Sequence, residues 1–372
     1  MAGRGIGLVA LAALVTAALT SGAAADAAGP TVAFPGAVGF GSGATGGQGG
    51  SEYHVTNLND SGSGSFRDAV SSGHRTIVFD VSGYIRVSSP VSVASDLTID
   101  GTTAPGNGVG IMAGEVSFAG SGNDIVRNFR FREGDLDPDE KKSAVNLYNA
   151  SNMIFDHVSI EFGQWNNIDA VGAKNITVQD SIIADPIGQQ FGAHTEGDSF
   201  TWYRNVWAND HNRNPLAKAN TQFINNVVYN YQAGYTAGNS SGHFLHDVIG
   251  NYFIAGPRTT SASNAYYQMG NQSIYNSGNL LDSSLDGQLN GSSLAVRAGG
   301  TELGSPWSSS TSGISASSAA DAYDSLVSGA GAQPRDQVDT LVIGDVKSLG
   351  KTGQLWAHQT DTGLGNSGYG NL

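Results

Sequence analysis

No cysteine occurs among the 372 residues, so no disulfide can staple this chain. Charge is sparse at 13% of residues and unbalanced, with 18 Lys and Arg against 32 Asp and Glu, a formal net charge of −14. An acidic surface of that kind excludes broad electrostatic attraction to nucleic acid or to anionic membranes. After the first 25 residues no apolar run is long enough to span a bilayer. A chain of this size without disulfides must bury a large core by strand or helix packing alone.

The first 25 residues stand apart. Arg4 supplies a positive start, residues 6–19 are almost unbroken apolar sequence, and Ala23-Ala-Ala25 offers small residues for cleavage. That pattern is a secretory signal peptide rather than a membrane anchor. Residues 1–25 are therefore expected to be removed and the protein to be secreted, with residues 26–372 forming one domain. Removal would take one basic residue and no acid, leaving the balance still more negative.

What the sequence has is a repeat. An apolar alternating run, a central Asn or Asp and a second apolar run recur six times. The copies read Asp124-Ile-Val-Arg-Asn128-Phe-Arg-Phe, Asn152-Met-Ile-Phe-Asp156-His-Val-Ser-Ile and Asn175-Ile-Thr-Val-Gln-Asp180-Ser-Ile-Ile. They continue as Phe200-Thr-Trp-Tyr-Arg-Asn205-Val-Trp, Gln222-Phe-Ile-Asn-Asn226-Val-Val-Tyr and Asp247-Val-Ile-Gly-Asn251-Tyr-Phe. The central residues follow one another at 28, 24, 25, 21 and 25 positions. No copy can bury its apolar face alone, so copies must stack on one another. The expected fold is all-β, a single-stranded right-handed parallel β-helix. The central Asn and Asp suit turns, where they tolerate left-handed backbone.

The flanks read as caps. Asp60-Ser-Gly-Ser-Gly-Ser followed by Phe66-Arg-Asp-Ala-Val70 predicts a short N-terminal capping helix, as an open solenoid end requires. Residues 304–372 predict a Ser/Gly-rich loop, a helix over 319–327 and a tail packed back on the solenoid, loosely ordered from Asp361. Gly41-Ser-Gly43-Ala-Thr-Gly46 matches a dinucleotide-binding pattern, but no strand precedes it and no helix follows, so glycine abundance explains it. Nine of the 18 basic residues, from Arg127 through Arg130, Arg132, Lys141, Lys142, Lys174, Arg204 and Arg213 to Lys218, fall within 92 positions. On an acidic chain, that concentration suggests a site for an anionic ligand.

Five stretches make the chain resemble the pectate lyase family of β-helical polysaccharide lyases. They are Ala33-Phe-Pro-Gly-Ala-Val-Gly-Phe-Gly, the run from Val55 to Val70, Ile154-Phe-Asp-His157, His211-Asn-Arg213-Asn-Pro215 and Arg335-Asp-Gln-Val-Asp339. The resemblance implies β-elimination of an acidic plant cell-wall polysaccharide, pectate or a related polyuronate, by a monomer. It places Arg213 at the proton-abstraction site and Lys218 as a second basic clamp. A further family lysine falls near Gln189 or Gln190, a departure that leaves Gln190 as the candidate.

The chemistry can be set out independently. A base must take the C5 proton beside a uronate carboxylate, and cations must hold the charge that develops there. Guanidinium normally keeps its proton to above about pH 12, so His211 and His194 are alternative bases and substrate contacts. The family's Ca²⁺ ligands are mostly missing. Lys141-Lys142-Ser-Ala stands at one acidic position, and Gln164-Trp-Asn-Asn-Ile-Asp169 keeps a single carboxylate at the other. Asp169 is the one candidate metal ligand; alternatively Lys141 and Lys142 supply fixed positive charge in place of the ion. Asp156 and His157 read as supporting residues, and Asp135, Asp137, Asp139 and Glu140 as a solvated loop. Trp165, Trp202 and Trp207 suit a sugar-stacking cleft and a core equally well. Two other readings remain open, a β-helical galacturonan hydrolase, which needs paired carboxylates, and a non-catalytic carbohydrate-binding solenoid.

Overall fold

The structure is a computed structural model that describes residues 1–3, 32–308 and 314–372. The expected signal segment lies almost wholly outside the described residues. No helix among them is long and apolar enough to cross a membrane.

Each coil of the repeat contributes one strand to each of three faces. One face is a ten-stranded sheet, parallel except at its C-terminal edge, running from Gly83–Arg86 through Arg130–Arg132, Ser159–Glu161, Ile182–Ala184 and Val206–Ala208 to Ser292–Ser293. The other two faces merge in the middle coils, where Ile168–Gln179 and Ala193–Tyr203 run unbroken around the corner. The register slips there between Val171 and Ala173. Gly172 and Gly197 make that turn at positive φ, and a Cβ on Gly197 would lie 2.0 Å from the Ala173 carbonyl oxygen. Only glycine fits such a bend.

The repeated Asn and Asp resolve into two structural positions. Asn128, His157, Asp180, Arg204 and Asn225 take left-handed backbone at the corner before the ten-stranded sheet. Asn205, Asn226 and Asn251 stand one residue later and instead form a buried ladder with Asn279. The Asn205 and Asn226 backbone N–H groups donate to the side-chain oxygens of Asn226 and Asn251 at 3.0 and 2.7 Å, and Asn251 donates likewise to Asn279 at 2.9 Å. Turn tolerance therefore explains Asn128 and Asp180, whereas side-chain stacking explains Asn205, Asn226 and Asn251.

The interior is continuous and aromatic. Phe66 of α1 (Phe66–Ala69), capped by the Ser65 side chain, stacks on Phe129 at 5.3 Å and closes the N-terminal end. Trp202 and Trp207 are fully buried and meet edge-to-face at 4.9 Å, so they belong to the core and not to a cleft. Residues 33–50 form a strap across the outside, bonded to Thr98, Thr177 and Thr201. A Cβ on Gly41 would sit 1.9 Å from the Met153 carbonyl oxygen, so this glycine run serves close backbone packing.

The ten-stranded sheet carries apolar side chains outward as well as inward. Ile182, Val206, Val227 and Tyr252 are covered by α2 (Ala319–Gly329) and α3 (Gln337–Lys347), through Tyr323, Leu326, Val342 and Val346. Arg130 and Arg132 are wholly buried beneath α3, where they meet Asp336, Asp339 and Glu161. These two arginines therefore clasp the C-terminal segment and do not face an anionic ligand. The tail is also better ordered than composition suggests. Short 3₁₀ turns occupy Gln359–Thr362 and Asn366–Gly368, and the buried Tyr369 hydroxyl donates to the Glu133 carbonyl at 2.6 Å.

Candidate active site

On the merged middle strands the side chains alternate, and the outward ones form two rows. Asp169 lies opposite His194, and His194 opposite Leu216; two residues along, Val171, Glu196 and Lys218 line up. The intervening Ala170, Ala193, Thr195 and Ala217 point inward and are buried. Sheet register thus gathers Asp169, His194 and Lys218 from three separate coils. It also brings in Glu196, which sequence patterns did not single out.

The loops entering these strands supply the rest. Arg213, at positive φ, lays its guanidinium over the Phe191 ring, 3.9 Å from its centroid, and Nη1 donates to Asn166 Oδ1 at 2.7 Å. His211 stacks on Phe191 with ring centroids 6.2 Å apart. Phe191 thus orients both the catalytic candidate and one alternative base, and Asn166 fixes the fork. Neither was visible as a motif. The available signal was position, since Asn212 bridges to Phe191 directly across the coils.

Electrostatics divides the site. Burial lowers the Arg213 pKa from its ordinary value, while the charges of Asp169 and Glu196 act against that shift. Burial likewise lowers His211, which is therefore neutral at pH 7. Glu196 is held below the usual carboxylate range chiefly by Lys218, whose Nζ donates at 2.7 Å, and also by His194 at 2.9 Å. Burial raises Asp169 against the pull of His194 and Arg213. His194 Nδ1 lies 3.9 Å from Asp169 Oδ1, and that oxygen is buried without a hydrogen-bond partner.

The other expected residues fall nearby in different roles. The Gln190 amide donates to the Trp356 carbonyl at 2.7 Å and so anchors the tail. Lys142 Nζ stands 3.7 Å from Glu115, and the Lys142 carbonyl accepts from the Trp165 N–H. Lys141 lines a cavity beside Trp165, together with Asp139 and Glu140. Asp137, read from sequence as solvated, is buried.

For a Ca²⁺ ion at the family position, the donor set is thin. Ca²⁺ takes six to eight oxygens, and here Asp169 offers one orphaned carboxylate oxygen. Asn166 Oδ1 is committed to Arg213, and Glu196 to Lys218 and His194. These residues do not make a protein-only Ca²⁺ site. Among the described residues, ligand atoms of Asp156, His157 and Asp180 lie within 4.8 Å of one another. That cluster is at a different corner and is already charge-paired, Asp156 with Arg127 at 3.1 Å and Asp180 with Arg204 at 2.9 Å.

The fold and the site together give a parallel β-helix with a basic loop beside a mixed-charge strand face, and comparison with known proteins places it in a family. No protein-family profile matches the chain. A curated protein of Aspergillus flavus named "Probable pectate lyase C" is 40% identical over 343 residues, covering 89% of this chain and 81% of the relative. A solved pectate lyase from Bacillus sp. N165 in complex with trigalacturonate superposes with a TM-score of 0.55 at 18% identity, covering 79% of this chain and 98% of that one. Pectate lyase C from Erwinia chrysanthemi, solved at pH 9.5 with 30 mM Ca²⁺, gives 0.50 at 14% identity, covering 79% and 96%. The chain belongs to the pectate lyase family and is a polysaccharide lyase.

Proposed function

We propose that the protein is exported and cleaves polygalacturonate by β-elimination, with Arg213 at the proton-abstraction site. The observation that carries this reading is Arg213 itself, held over the Phe191 ring and bonded to Asn166 beside a strand face bearing Asp169, His194 and Lys218. A uronate chain laid along that face meets Arg213 from the loop side and Lys218 from the strand side.

In the step, a base takes the C5 proton, the electron pair forms the C4–C5 double bond, and the C4–oxygen bond breaks with its pair leaving on the glycosidic oxygen, which takes a proton from water. Negative charge grows on the C6 carboxylate as the proton leaves. Cations preorganised against that group stabilise the transition state more than the ground state. Lys218 is one such cation, and Arg213 becomes the other once it has taken the C5 proton. Burial pushes Arg213 in the direction that a proton-accepting role requires. Neutral His211, stacked on Phe191 like Arg213, is the second base available. Glu196, bonded to His194 at 2.9 Å, orients that ring, and Asp169, with its orphaned oxygen, adds one carboxylate toward any cation that arrives with the substrate.

The test is to incubate the purified protein with polygalacturonate, with and without added Ca²⁺, following ultraviolet absorbance and reducing ends together. Elimination raises both in proportion. Reducing ends without absorbance would mean hydrolysis, and neither signal would mean a binding protein or an enzyme for another polymer. Export is supported by residues 6–25 of the sequence and is tested by N-terminal sequencing of protein from culture medium.

A further inference from the structure

Lys218 is the cation that faces the uronate before the C5 proton moves, yet in the free protein its charge is already taken. Glu196 lies directly opposite it in the sheet register, on the same outward row, with His194 two residues back along the strand. A single carboxylate oxygen of Glu196 meets both neighbours, Lys218 Nζ at 2.7 Å and His194 Nε2 at 2.9 Å. Lys218 above all keeps that carboxyl ionised.

This pair can open. Lys218 is 31% and Glu196 37% exposed, whereas the Arg132–Glu161 pair beneath α3 is wholly buried. Water replaces each partner of an exposed pair as they part, so such a pair shifts an equilibrium by about fivefold at most. A buried pair loses its partner at far greater cost. Glu196 also keeps a polar neighbour when Lys218 leaves it, because the same oxygen already meets His194. Sharing Lys218 is the poorer arrangement. Its ammonium has hydrogens to spare, but a second carboxylate would set two like charges at one site, and each disfavours the other.

We propose that Glu196 is an exchangeable stand-in for the substrate carboxylate: it occupies Lys218 in the free protein and yields that ammonium to the C6 carboxylate of a bound uronate, keeping its own contact with His194. Glu196 is thus a positioning residue that acts through Lys218. The exchange weakens binding of the ground state. It leaves the full Lys218 charge for the C6 carboxylate as negative charge grows there, which favours turnover over tight binding. The proposal rests on the reading that a uronate meets Arg213 and Lys218.

The direct test is a crystal structure of the Arg213→Ala variant, in which cleavage is slowed, with trigalacturonate bound. A uronate carboxylate should sit on Lys218 Nζ, with Glu196 withdrawn from the ammonium and still beside His194. A Lys218–Glu196 pair that stays closed in that complex would overturn the proposal. Isothermal titration of the trimer in the same background gives the energetics. Adding Glu196→Gln should tighten binding by about two- to fivefold, the range of a partly exposed ion pair. With Lys218→Met also present, the same substitution should gain less than about 1.5-fold. A full gain there would mean that Glu196 only repels the substrate, and would overturn the exchange. The fully methyl-esterified trimer should not respond to Glu196→Gln; equal tightening of both trimers would mean altered packing and would overturn it as well. If the exchange is seen but the wild type yields no unsaturated ends, the exchange stands and the lyase reading falls. Unsaturated ends together with a closed pair give the reverse.

Discussion

Removing the Asn226 side chain should cost this solenoid a large part of its stability, because the ladder leaves no substitute partner. Asn226 is fully buried. Its Oδ1 accepts from the Asn205 N–H at 3.0 Å and from Asn205 Nδ2 at 3.1 Å, and its Nδ2 donates to the Trp202 carbonyl at 2.9 Å and to Asn251 Oδ1 at 3.1 Å. In Asn226→Ala, Asn251 Oδ1 still receives the Asn226 backbone N–H, and Asn205 Nδ2 keeps its bond to the Val178 carbonyl. Two donor hydrogens on Asn205 nevertheless lose their acceptor inside the core. At about 1–3 kcal/mol for each buried unsatisfied group, the loss is about 2–6 kcal/mol. A typical domain has about 5–15 kcal/mol in total. Urea unfolding followed by tryptophan fluorescence measures this as a fall in midpoint at constant slope. Because Asn226 and Asn251 share bonds, the double Ala variant should lose less than the sum of the single variants. A loss below about 1 kcal/mol for Asn226→Ala would refute the ladder as a load on stability.

Two further predictions follow from buried charge. Burial pushes the Asp124 pKa up to about 7, against bonds from the Ser121 hydroxyl and the Leu97 N–H. With an unfolded value near 3.9, the folded state binds the extra proton in between, so this contribution is complete below about pH 4 and is lost as pH rises through 7. Asp124→Asn should flatten the decline in stability between about pH 4 and 7, by at most about 4 kcal/mol; an unchanged decline would mean the carboxyl is hydrated. Arg132→Met leaves Glu161 without its cation and Asp336 and Asp339 with Arg130 alone beneath α3, and should destabilise by about 3–5 kcal/mol. Limited proteolysis should then cut first between residues 330 and 372, and wild-type resistance there would contradict the clasp.

The repeat made the solenoid legible because strand period and coil period are both written in apolar spacing. The same pattern could not separate left-handed corners from ladder positions, since Asn is chemically suited to both; Asn128 and Asn226 look alike until the register is known. Arg213, Lys218, His194 and Asp169 were legible as residue types, and the structure does place them on adjoining coils. Glu196 was missed although the two-residue alternation from Asp169 to Val171 predicts an outward residue after His194. Phe191 and Asn166 carried no motif, because their role is to hold Arg213 rather than to react. Arg130 and Arg132 show the opposite error. Counting charge cannot tell an arginine in a cleft from one buried against Asp336 and Asp339, and only the packing of α3 decides it.

The claim at the centre of this account is that Arg213 acts at the bond that breaks. The direct measurement is the initial rate of ultraviolet absorbance on polygalacturonate for wild type and Arg213→Ala, with thermal unfolding followed in parallel. Removing a preorganised charge of this kind lowers kcat by about 10²–10³-fold, while the melting temperature should hold because the Arg213 side chain makes its one hydrogen bond to Asn166, outside the ladder. An Arg213→Ala protein that melts like wild type and keeps its full elimination rate would contradict the assignment.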